Sequence, residues 1–271
     1  MKVYCPELNL YVEIPEKPRK IVSISPAITE ILFRLGLGNF VVGTSRWCIY
    51  PLEASSKPKV SDYLFIDINE LKSLSPDLVL LSGSIQRPLA KYLLSNGFTV
   101  YLFPLPTSIV GIIDLVYSVG GIVGSFKESC TLAESLIRKL VRLNKALKKS
   151  LRIYVELDLG EPTIPCYFSH ITSGIHLIGG YVVTSDIREA YVWGLKAREL
   201  LREVPKLKPD VIIYEARSLK YDKDEIISKL CNRWSFINTN NVIILSAMSL
   251  SHYGPRFVDE LNNLVNLLNN L

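Results

Sequence analysis

The chain repeats one arrangement of strand, helix and Pro-Asp turn at a nearly constant interval, which restricts the folds it can adopt. An apolar run around Ile21 recurs around Ile153, 132 positions later. A Pro-Asp pair that precedes an apolar strand occurs at Asp77 and again at Asp210, 133 positions later. Because the two intervals agree to one residue, the sequence predicts two similar α/β lobes.

Short apolar runs alternate with segments of helical periodicity in both halves. Such alternation is typical of parallel sheets that are covered by helices. Pro76 and Pro209 end the helices before them, because proline disfavours helical geometry in the preceding residue. The candidate strands are 20–24, 40–43, 77–82 and 99–103 in the first half, and 151–157, 181–184, 210–215 and 241–245 in the second.

The segment 126–150 separates the two lobes and has the pattern of one long helix. It contains no Gly or Pro from 127 to 150. A continuous helix of more than 20 residues would span roughly 30 Å and act as a stiff connector. The predicted domains are therefore 1–125, 126–150 and 151–271. The leucines of the expected helical face are Leu132, Leu136, Leu140, Leu143 and Leu147.

The composition excludes a disordered chain, since 48% of the 271 residues are hydrophobic and 21% are charged. The net charge is +5, and the cations are concentrated in one stretch. A nucleic-acid surface and a solvated helix face are the two interpretations. No aromatic residues are interleaved for base stacking, so the solvated face is favoured and no nucleic-acid partner is expected. The stretch contains Arg138, Lys139, Arg142, Lys145, Lys148, Lys149 and Arg152.

The sequence gives no sign of a membrane-spanning segment or of a signal peptide. No run of about 18 apolar residues occurs, and residues 1–18 lack an apolar signal core. The five cysteines form no close pair, which suits free thiols in a reducing compartment. A cytoplasmic location is expected for the sequence as it stands. An extracytoplasmic one is expected if a leader was removed or the start was wrongly assigned.

The turn after the first predicted strand is a candidate binding feature. Ser25 is expected to cap the helix that follows, and Pro26 suits the first position of that helix. The turn then lies at the carboxyl end of a strand and at the amino end of a helix. Ligands of open parallel sheets bind at such strand ends, although an ordinary βα turn would have the same sequence.

Five segments carry a resemblance to a known family. The chain resembles the periplasmic-binding-protein family for cobalamin and ferric siderophores, the substrate-binding components of importers powered by ATP. The resemblance extends from about Val12 to Leu271. The segments are KIVSISPAITEILFRLGLG (20–38), VVGTSRWCIYPLEA (41–54), KPKVSD (57–62), LKSLSPDLVLLSG (71–83) and HYGPRFVDELNNLV (252–265).

The resemblance implies two Rossmann-like lobes with parallel sheets, joined by one long rigid helix, and a ligand held in the cleft between them. It implies capture of a ligand for the permease subunits of an ABC transporter, without catalysis. Family members dock through one exposed acid on each lobe. The first of these acids falls near Gln86 and Arg87 in this sequence, and neither residue is acidic.

The loops that follow the strands are expected to line the cleft. Aromatic side chains in these loops suit a wide planar ligand such as a corrin or haem ring. Glu215 and Arg217 are expected to form a polar anchor or a salt bridge. Tyr50-Pro51 corresponds to a tyrosine-proline near the ligand in cobalamin binders, with Ile49 in place of the usual acid. The candidate ligand-binding residues are Ser25, Pro26, Ala27, Trp47, Tyr50, Tyr63 and Ser84, followed by Tyr167, Phe168, Glu215, Arg217 and Tyr253.

A metal-ion receptor for zinc or manganese is a different interpretation. It would need several His and carboxylate ligands in one place, whereas His170, His176 and His252 do not share a helix face. Cys48 is expected to be a small buried residue, with metal ligation as the alternative. His252 is expected to be surface-exposed or hydrogen-bonded, with axial ligation of a bound cofactor as the alternative.

The leading functional hypothesis is a substrate-binding protein of an ABC-type importer that captures cobalamin or a related corrinoid or iron chelate. The alternative is a cytosolic corrinoid or haem carrier without a transporter. An enzyme is less favoured, because no nucleophile elbow, P-loop or His-Glu helix motif occurs. No cofactor is required in these hypotheses, and the bound ligand would be cobalamin, haem or a ferric siderophore.

Overall fold

The computed structural model describes all residues from Met1 to Leu271. The chain divides into two compact units. The first comprises Met1–Leu105 and Gly111–Ile137, and the second comprises Pro106–Val110 and Arg138–Leu271. Each unit contains its own sheet, and the helices lie between the strands along the chain.

The first unit is built on a five-stranded parallel sheet with the order β5-β4-β3-β6-β7. An antiparallel hairpin of β1 and β2 precedes this sheet. The residues of β3, β6 and β7 are all buried, as expected for a parallel sheet covered on both faces. The strands are β1 (Lys2–Cys5), β2 (Leu10–Glu13), β3 (Ile21–Ser23), β4 (Val41–Ser45), β5 (Lys59–Ser61), β6 (Leu78–Ser82) and β7 (Val100–Phe103).

The second unit has a six-stranded mixed sheet with the order β11-β9-β8-β12-β13, in which β10 also pairs with β8. The pairings of β8 with β10, of β8 with β12 and of β12 with β13 are parallel. Those of β9 with β8 and of β9 with β11 are antiparallel. The strands are β8 (Arg152–Asp158), β9 (Pro162–Pro165), β10 (Tyr181–Val182), β11 (Tyr191–Trp193), β12 (Val211–Glu215) and β13 (Val242–Leu245).

Ten α-helices complete the fold. None combines the length and the apolar character that crossing a bilayer requires. The helices are α1 (Pro26–Arg34), α2 (Leu52–Ser55), α3 (Ile68–Leu74), α4 (Arg87–Ser95), α5 (Ile109–Ile122), α6 (Phe126–Leu143), α7 (His170–Leu177), α8 (Gly194–Glu203), α9 (Lys223–Arg233) and α10 (Arg256–Asn269).

The repeated Pro-Asp pair has the same role in both units. The Asp77 carboxylate accepts the backbone N–H groups of Arg19 and Lys20, both at 2.9 Å, just before β3. The Asp210 carboxylate accepts the N–H of Arg152 at the start of β8, at 2.8 Å. Each aspartate therefore fixes the amino end of its strand to that of the neighbouring strand.

The α/β architecture predicted from the sequence is confirmed, with eight expected strands found within one or two residues. Two features differ from the prediction. The second sheet is mixed, because the segment after β8 folds back as β9 and pairs with β11. The first unit also contains three strands that were not expected, namely β1, β2 and β5.

The predicted helix of more than 20 residues is shorter than expected. Helix α6 has 18 residues and ends at Leu143, so it spans about 27 Å. Lys145 adopts a left-handed conformation with φ 54°, and its N–H donates to Leu177 O at 2.8 Å. The N–H of Leu147 donates to Ile178 O at 3.0 Å. Hydrogen bonds to the end of α7 thus replace the last predicted helical turns.

Candidate functional site

The loops that follow the parallel strands of the first unit meet at one edge of its sheet. Ser25 and Ala27 are buried after β3, whereas Pro26 is half-buried and occupies the start of α1. The side chain of Ser25 makes no capping hydrogen bond, contrary to the prediction. Its carbonyl accepts the N–H of Thr29 at 2.9 Å, so the turn is held by the backbone. Ser84 is exposed in the loop after β6.

Asp62 connects two of the predicted aromatic residues. Its Oδ1 accepts the indole N–H of Trp47 and the backbone N–H of Tyr63, each at 2.9 Å. The side chain of Trp47 is 46% exposed, and Tyr63 is half-buried. The loops after β4 and β5 are thereby joined, and the Trp47 ring stays at the surface.

The buried amide of Gln86 joins the same loops to the loop after β6. Its Nε2 donates to Tyr63 O at 2.7 Å, and its Oε1 accepts the N–H of Ser82 at 2.9 Å. Gln86 is fully buried. Because both ends of the amide are used, Gln86 fixes the position of Tyr63 relative to β6.

These three loops present a group of apolar rings and chains to solvent. Phe65 is 78% exposed and Ile85 is 60% exposed, which is unusual for such large side chains. Tyr50 is half-buried, and its peptide bond to Pro51 is cis. We call Trp47, Tyr50, Tyr63, Phe65 and Ile85 the first-unit surface.

Cys48 lies beneath this surface and is fully buried, as predicted. Its sulfur contacts Thr29 Oγ1 at 3.1 Å and Ser45 Oγ at 3.2 Å. Burial raises the pKa of the Cys48 thiol, although both hydroxyl contacts oppose this. The thiol therefore remains protonated at neutral pH and is a poor metal ligand.

Lys59 fixes the loop that carries Trp47 and Tyr50. Its Nζ donates to Thr44 Oγ1, Cys48 O and Ala54 O at 2.9 to 3.0 Å. Partial burial lowers the pKa of Lys59. The ammonium group is used entirely within the protein, since its three protons have three acceptors.

Replacing Gln86 with methionine is expected to lower the free energy of unfolding by about 2 kcal/mol, because Tyr63 O and the Ser82 N–H each lose a buried partner. Urea unfolding measures the loss. The emission of Trp47 should change as well, since Asp62 and Tyr63 would no longer be fixed. The exposed Asn96 donates to Tyr92 O, and Asn96→Met should stay within about 0.5 kcal/mol of the wild type. Equal stability of the two variants would contradict the role given to Gln86.

In the second unit, the Glu215 carboxylate organises the loop after β13. It accepts the N–H groups of Met248, Leu250 and Ser251, together with the hydroxyl of Ser251. Burial raises the pKa of Glu215, whereas these donors lower it. The predicted pair with Arg217 does not form, because Arg217 is exposed beside Gly160 and makes no ion pair.

His170 continues this network from the other side of the loop. Its Nε2 lies 2.9 Å from Leu250 O, so Nε2 carries the proton, and the Tyr191 hydroxyl donates to Nδ1 at 3.2 Å. Burial lowers the pKa of His170 to about 4, and the nearby His252 acts in the same direction. His170 is therefore neutral at pH 7. The buried Tyr253 ring lies 6.2 Å from the imidazole, between centroids.

Tyr167 and Phe168 form an exposed edge-to-face pair with centroids 4.9 Å apart. The guanidinium of Arg188 lies 4.1 Å from the centroid of Tyr167, within the range of a cation–π interaction. The N–H groups of Tyr167 and Phe168 donate to Ile187 O and Glu189 O, which fixes the two segments to each other. We call Tyr167, Phe168 and Arg188 the second-unit surface.

No group of three or more His, Cys, Asp or Glu side chains lies close enough together to hold a metal ion. His252, the candidate axial ligand, is buried, so the surface exposure that was one of the two expectations for it is not found. Sequence reasoning assigned no contact to Asp62, Gln86, His170, Tyr191 or Arg188. Their positions just after strands or beside the predicted aromatics are the signal from which such contacts could have been inferred.

Solved structures share the fold of this chain. The apo periplasmic haem-binding protein of Roseiflexus sp. RS-1 has a TM-score of 0.78 at 18% identity, covering 93% of this chain and 98% of the other. The periplasmic vitamin B12 binding protein of Vibrio cholerae has a TM-score of 0.72 at 22% identity, covering 93% of this chain and 97% of the other.

Comparison with known protein sequences also finds similarity along most of the chain. A cobalamin-binding protein of Halobacterium salinarum is 22% identical over 272 residues, covering 97% of this chain and 72% of that protein. The profile of the family described as periplasmic binding protein matches residues 21–247. The chain therefore belongs to the periplasmic binding protein family.

Proposed function

We propose that this chain is the substrate-binding component of an ABC-type importer and that it captures cobalamin or a related corrinoid, haem or iron chelate. Membership of the periplasmic binding protein family supports the general role. The similarity to a cobalamin-binding protein along 97% of the chain supports the class of ligand. The ligand would be the cargo of the protein and not a resident cofactor.

The first-unit surface is the observation that carries this proposal. Trp47 and Tyr63 are held at the surface by Asp62 and Gln86, so their rings need little further ordering when a ligand binds. Rings of this kind cover a flat macrocycle with large contact area at a low cost in conformational entropy. A small metal ion would gain nothing from them.

The remaining predicted residues have different roles in the proposal. Tyr50, Ser84, Tyr167 and Phe168 would contact the ligand directly, since all four reach solvent. Glu215 would act indirectly, because the loop of residues 248–251 already uses its carboxylate. The buried Ser25, Ala27 and Tyr253 would shape the backbone and loops beneath the site, and the half-buried Pro26 would shape the turn. The exposed Arg217 would supply charge to an anionic group of the ligand.

The partners and compartment follow from the same proposal. Capture for import requires permease subunits that receive the ligand, and it places this chain outside the cytoplasmic membrane. No catalytic residue is assigned, because capture and release involve no covalent step.

The test is ligand-induced stabilisation together with loss of binding in two variants. A ligand present at about 100 times its dissociation constant should add about 2.7 kcal/mol to the free energy of unfolding. We expect this from cobalamin, cobinamide, haem or a ferric chelate in a thermal-shift assay. Trp47→Ala and Tyr50→Ala should each weaken binding by about tenfold, with an unchanged melting temperature without ligand.

Trp193→Ala is the matched control. Trp193 is 71% exposed on β11 of the second unit and is not a predicted contact, so its removal should leave affinity within about twofold. Tyr167→Ala tests the second-unit surface by itself. No thermal shift with any of the four ligands would count against the ligand class. A shift that Trp47→Ala and Tyr50→Ala leave intact would remove the first-unit surface from the site.

A further inference from the structure

The side of the second sheet at which β8 and β12 begin carries a concentration of positive charge that ligand capture does not use. No acidic residue occurs from 135 to 155, whereas seven lysines and arginines do. The net charge of the chain is +5, so the remainder of the chain is slightly acidic. We define the basic end as Arg142, Lys145, Lys148, Lys149, Arg152 and Lys208.

The structure gathers these residues at one place. Arg152 opens β8, and its guanidinium donates to Leu207 O at 2.7 Å and to Lys208 O at 3.2 Å, which places Lys208 beside it. The N–H of Lys148 donates to Asn269 Oδ1 at 2.8 Å, so the end of α10 lies at the same edge. Two segments that are distant in sequence thus contribute to one surface.

The six cations of the basic end outnumber the acid found beside them, Asp210, whose carboxylate accepts the backbone N–H of Arg152. All six side chains are exposed, and none of them takes part in an ion pair. Lys139, just before them, differs because it pairs with Asp259. Elsewhere in this unit Lys196, Arg198 and Lys206 also have acidic partners. Free cations concentrated at one end of a domain produce a positive potential that attracts polyanions.

Exposed apolar side chains accompany the cations. Val141 is 69% exposed and precedes Arg142, and Leu267 is 37% exposed two residues before Asn269. Lysine and arginine beside exposed aliphatic side chains are characteristic of protein surfaces that lie on anionic lipid headgroups. Nucleic acid would instead be expected to stack on exposed rings. The ring at this edge, Tyr181, is already stacked with His176 and contacted by Arg152.

We propose that the basic end binds the surface of an anionic lipid bilayer. The carboxyl ends of the strands lie at the opposite edge of the sheet, about 20 Å away along β8. Within this unit, lipid contact would therefore leave the loop that Glu215 organises accessible. The proposal does not depend on which ligand the protein captures.

Co-sedimentation with lipid vesicles tests whether the basic end binds an anionic bilayer. Full-length protein is mixed with vesicles of phosphatidylcholine alone or with about 30% phosphatidylglycerol. We expect binding to the anionic vesicles only, and loss of that binding when the salt is raised from about 0.05 M to about 0.5 M. The variant Arg142→Gln/Lys148→Gln/Lys149→Gln should bind the anionic vesicles at least tenfold less well.

The control variant is Arg202→Gln/Lys91→Gln/Lys220→Gln, which removes the same charge from exposed positions elsewhere. It should stay within about twofold of the wild type. Urea unfolding of both variants shows whether each is folded. An equal loss of vesicle binding in both variants would show that only the net charge of the protein matters, and it would overturn the proposal. Equal binding to both vesicle types, or binding to a DNA duplex without binding to anionic vesicles, would overturn it as well.

Discussion

Replacing Arg233 with methionine is expected to lower the free energy of unfolding by about 4 kcal/mol. Glu156 lies in the middle of β8 and is 1% exposed, and Arg233 Nη1 approaches its two carboxylate oxygens at 2.8 and 2.6 Å. The Tyr154 hydroxyl donates to the same carboxylate at 3.0 Å. Burial and the charge of Glu156 raise the pKa of Tyr154, so this donor stays protonated. Without Arg233, a buried carboxylate would lose its countercharge, which is far more costly than losing an exposed pair.

Urea unfolding at pH 7 measures this loss, and Arg198→Met is the matched control. Arg198 pairs with Glu161 at 2.9 Å, but both side chains are more than half exposed. Its replacement should cost less than about 1 kcal/mol. The double variant Glu156→Leu/Arg233→Met should recover part of the loss, because no unpaired charge remains. A cost for Arg233→Met as small as that of Arg198→Met would show that Glu156 is solvated or neutral in the folded protein.

Acidification should destabilise the second unit through His170. The folded pKa of His170 is about 4, because burial disfavours the charged imidazole, whereas an unfolded histidine titrates near 6.5. Between these values the unfolded state binds a proton that the folded state does not. The stabilising contribution of neutral His170 is therefore complete above pH 6.5 and is lost as the pH falls towards 4. The total loss is about 3 kcal/mol.

The measurement is the free energy of unfolding at several pH values between 7 and 4, for the wild type and for His170→Gln. Burial also lowers the pKa of His176, so both proteins retain part of the same pH dependence. Only the difference between the two curves reports on His170. An NMR titration of the His170 ring gives its pKa directly, even if the variant is too unstable to study. A pKa near 6.5 or identical slopes for the two proteins would refute this assignment.

Sequence reasoning located the strands of the fold because buried parallel strands are continuous apolar runs. β6 and β12 illustrate this, since each follows a Pro-Asp pair and is fully buried. The end of α6 could not be predicted in the same way. Lys145 is neither glycine nor asparagine, and its left-handed backbone is stabilised by a hydrogen bond to Leu177, which is distant in sequence. The pairing of β9 with β8 and β11 could not be predicted either, because β9 begins and ends with proline, which is uncommon in paired strands.

The candidate site was predictable in outline but not in its supporting contacts. Exposed rings in strand-end loops, such as Trp47 and Tyr167, can be found from the residue types and their positions. The groups that hold those loops depend on distances between loops, which one sequence does not specify. Gln86 is the clearest example. In the sequence it stood out only because family members have an acid near this position. In the structure it is fully buried and its amide is hydrogen-bonded to both Tyr63 and Ser82.

Asp77 and Asp210 show which part of the two units is alike. Their identical function lies where the strands begin, and there the two halves still correspond to within one residue. The two halves differ where the strands end. In the first half, β3 is followed by the turn at Ser25, which backbone hydrogen bonds hold. In the second half, β8 is followed by the connection Asp158–Pro162, which leads into the antiparallel strand β9. The margin of each sheet where the strands begin is thus alike in the two units, and the opposite margin differs between them. Engineering of new specificity should accordingly confine its changes to the second margin.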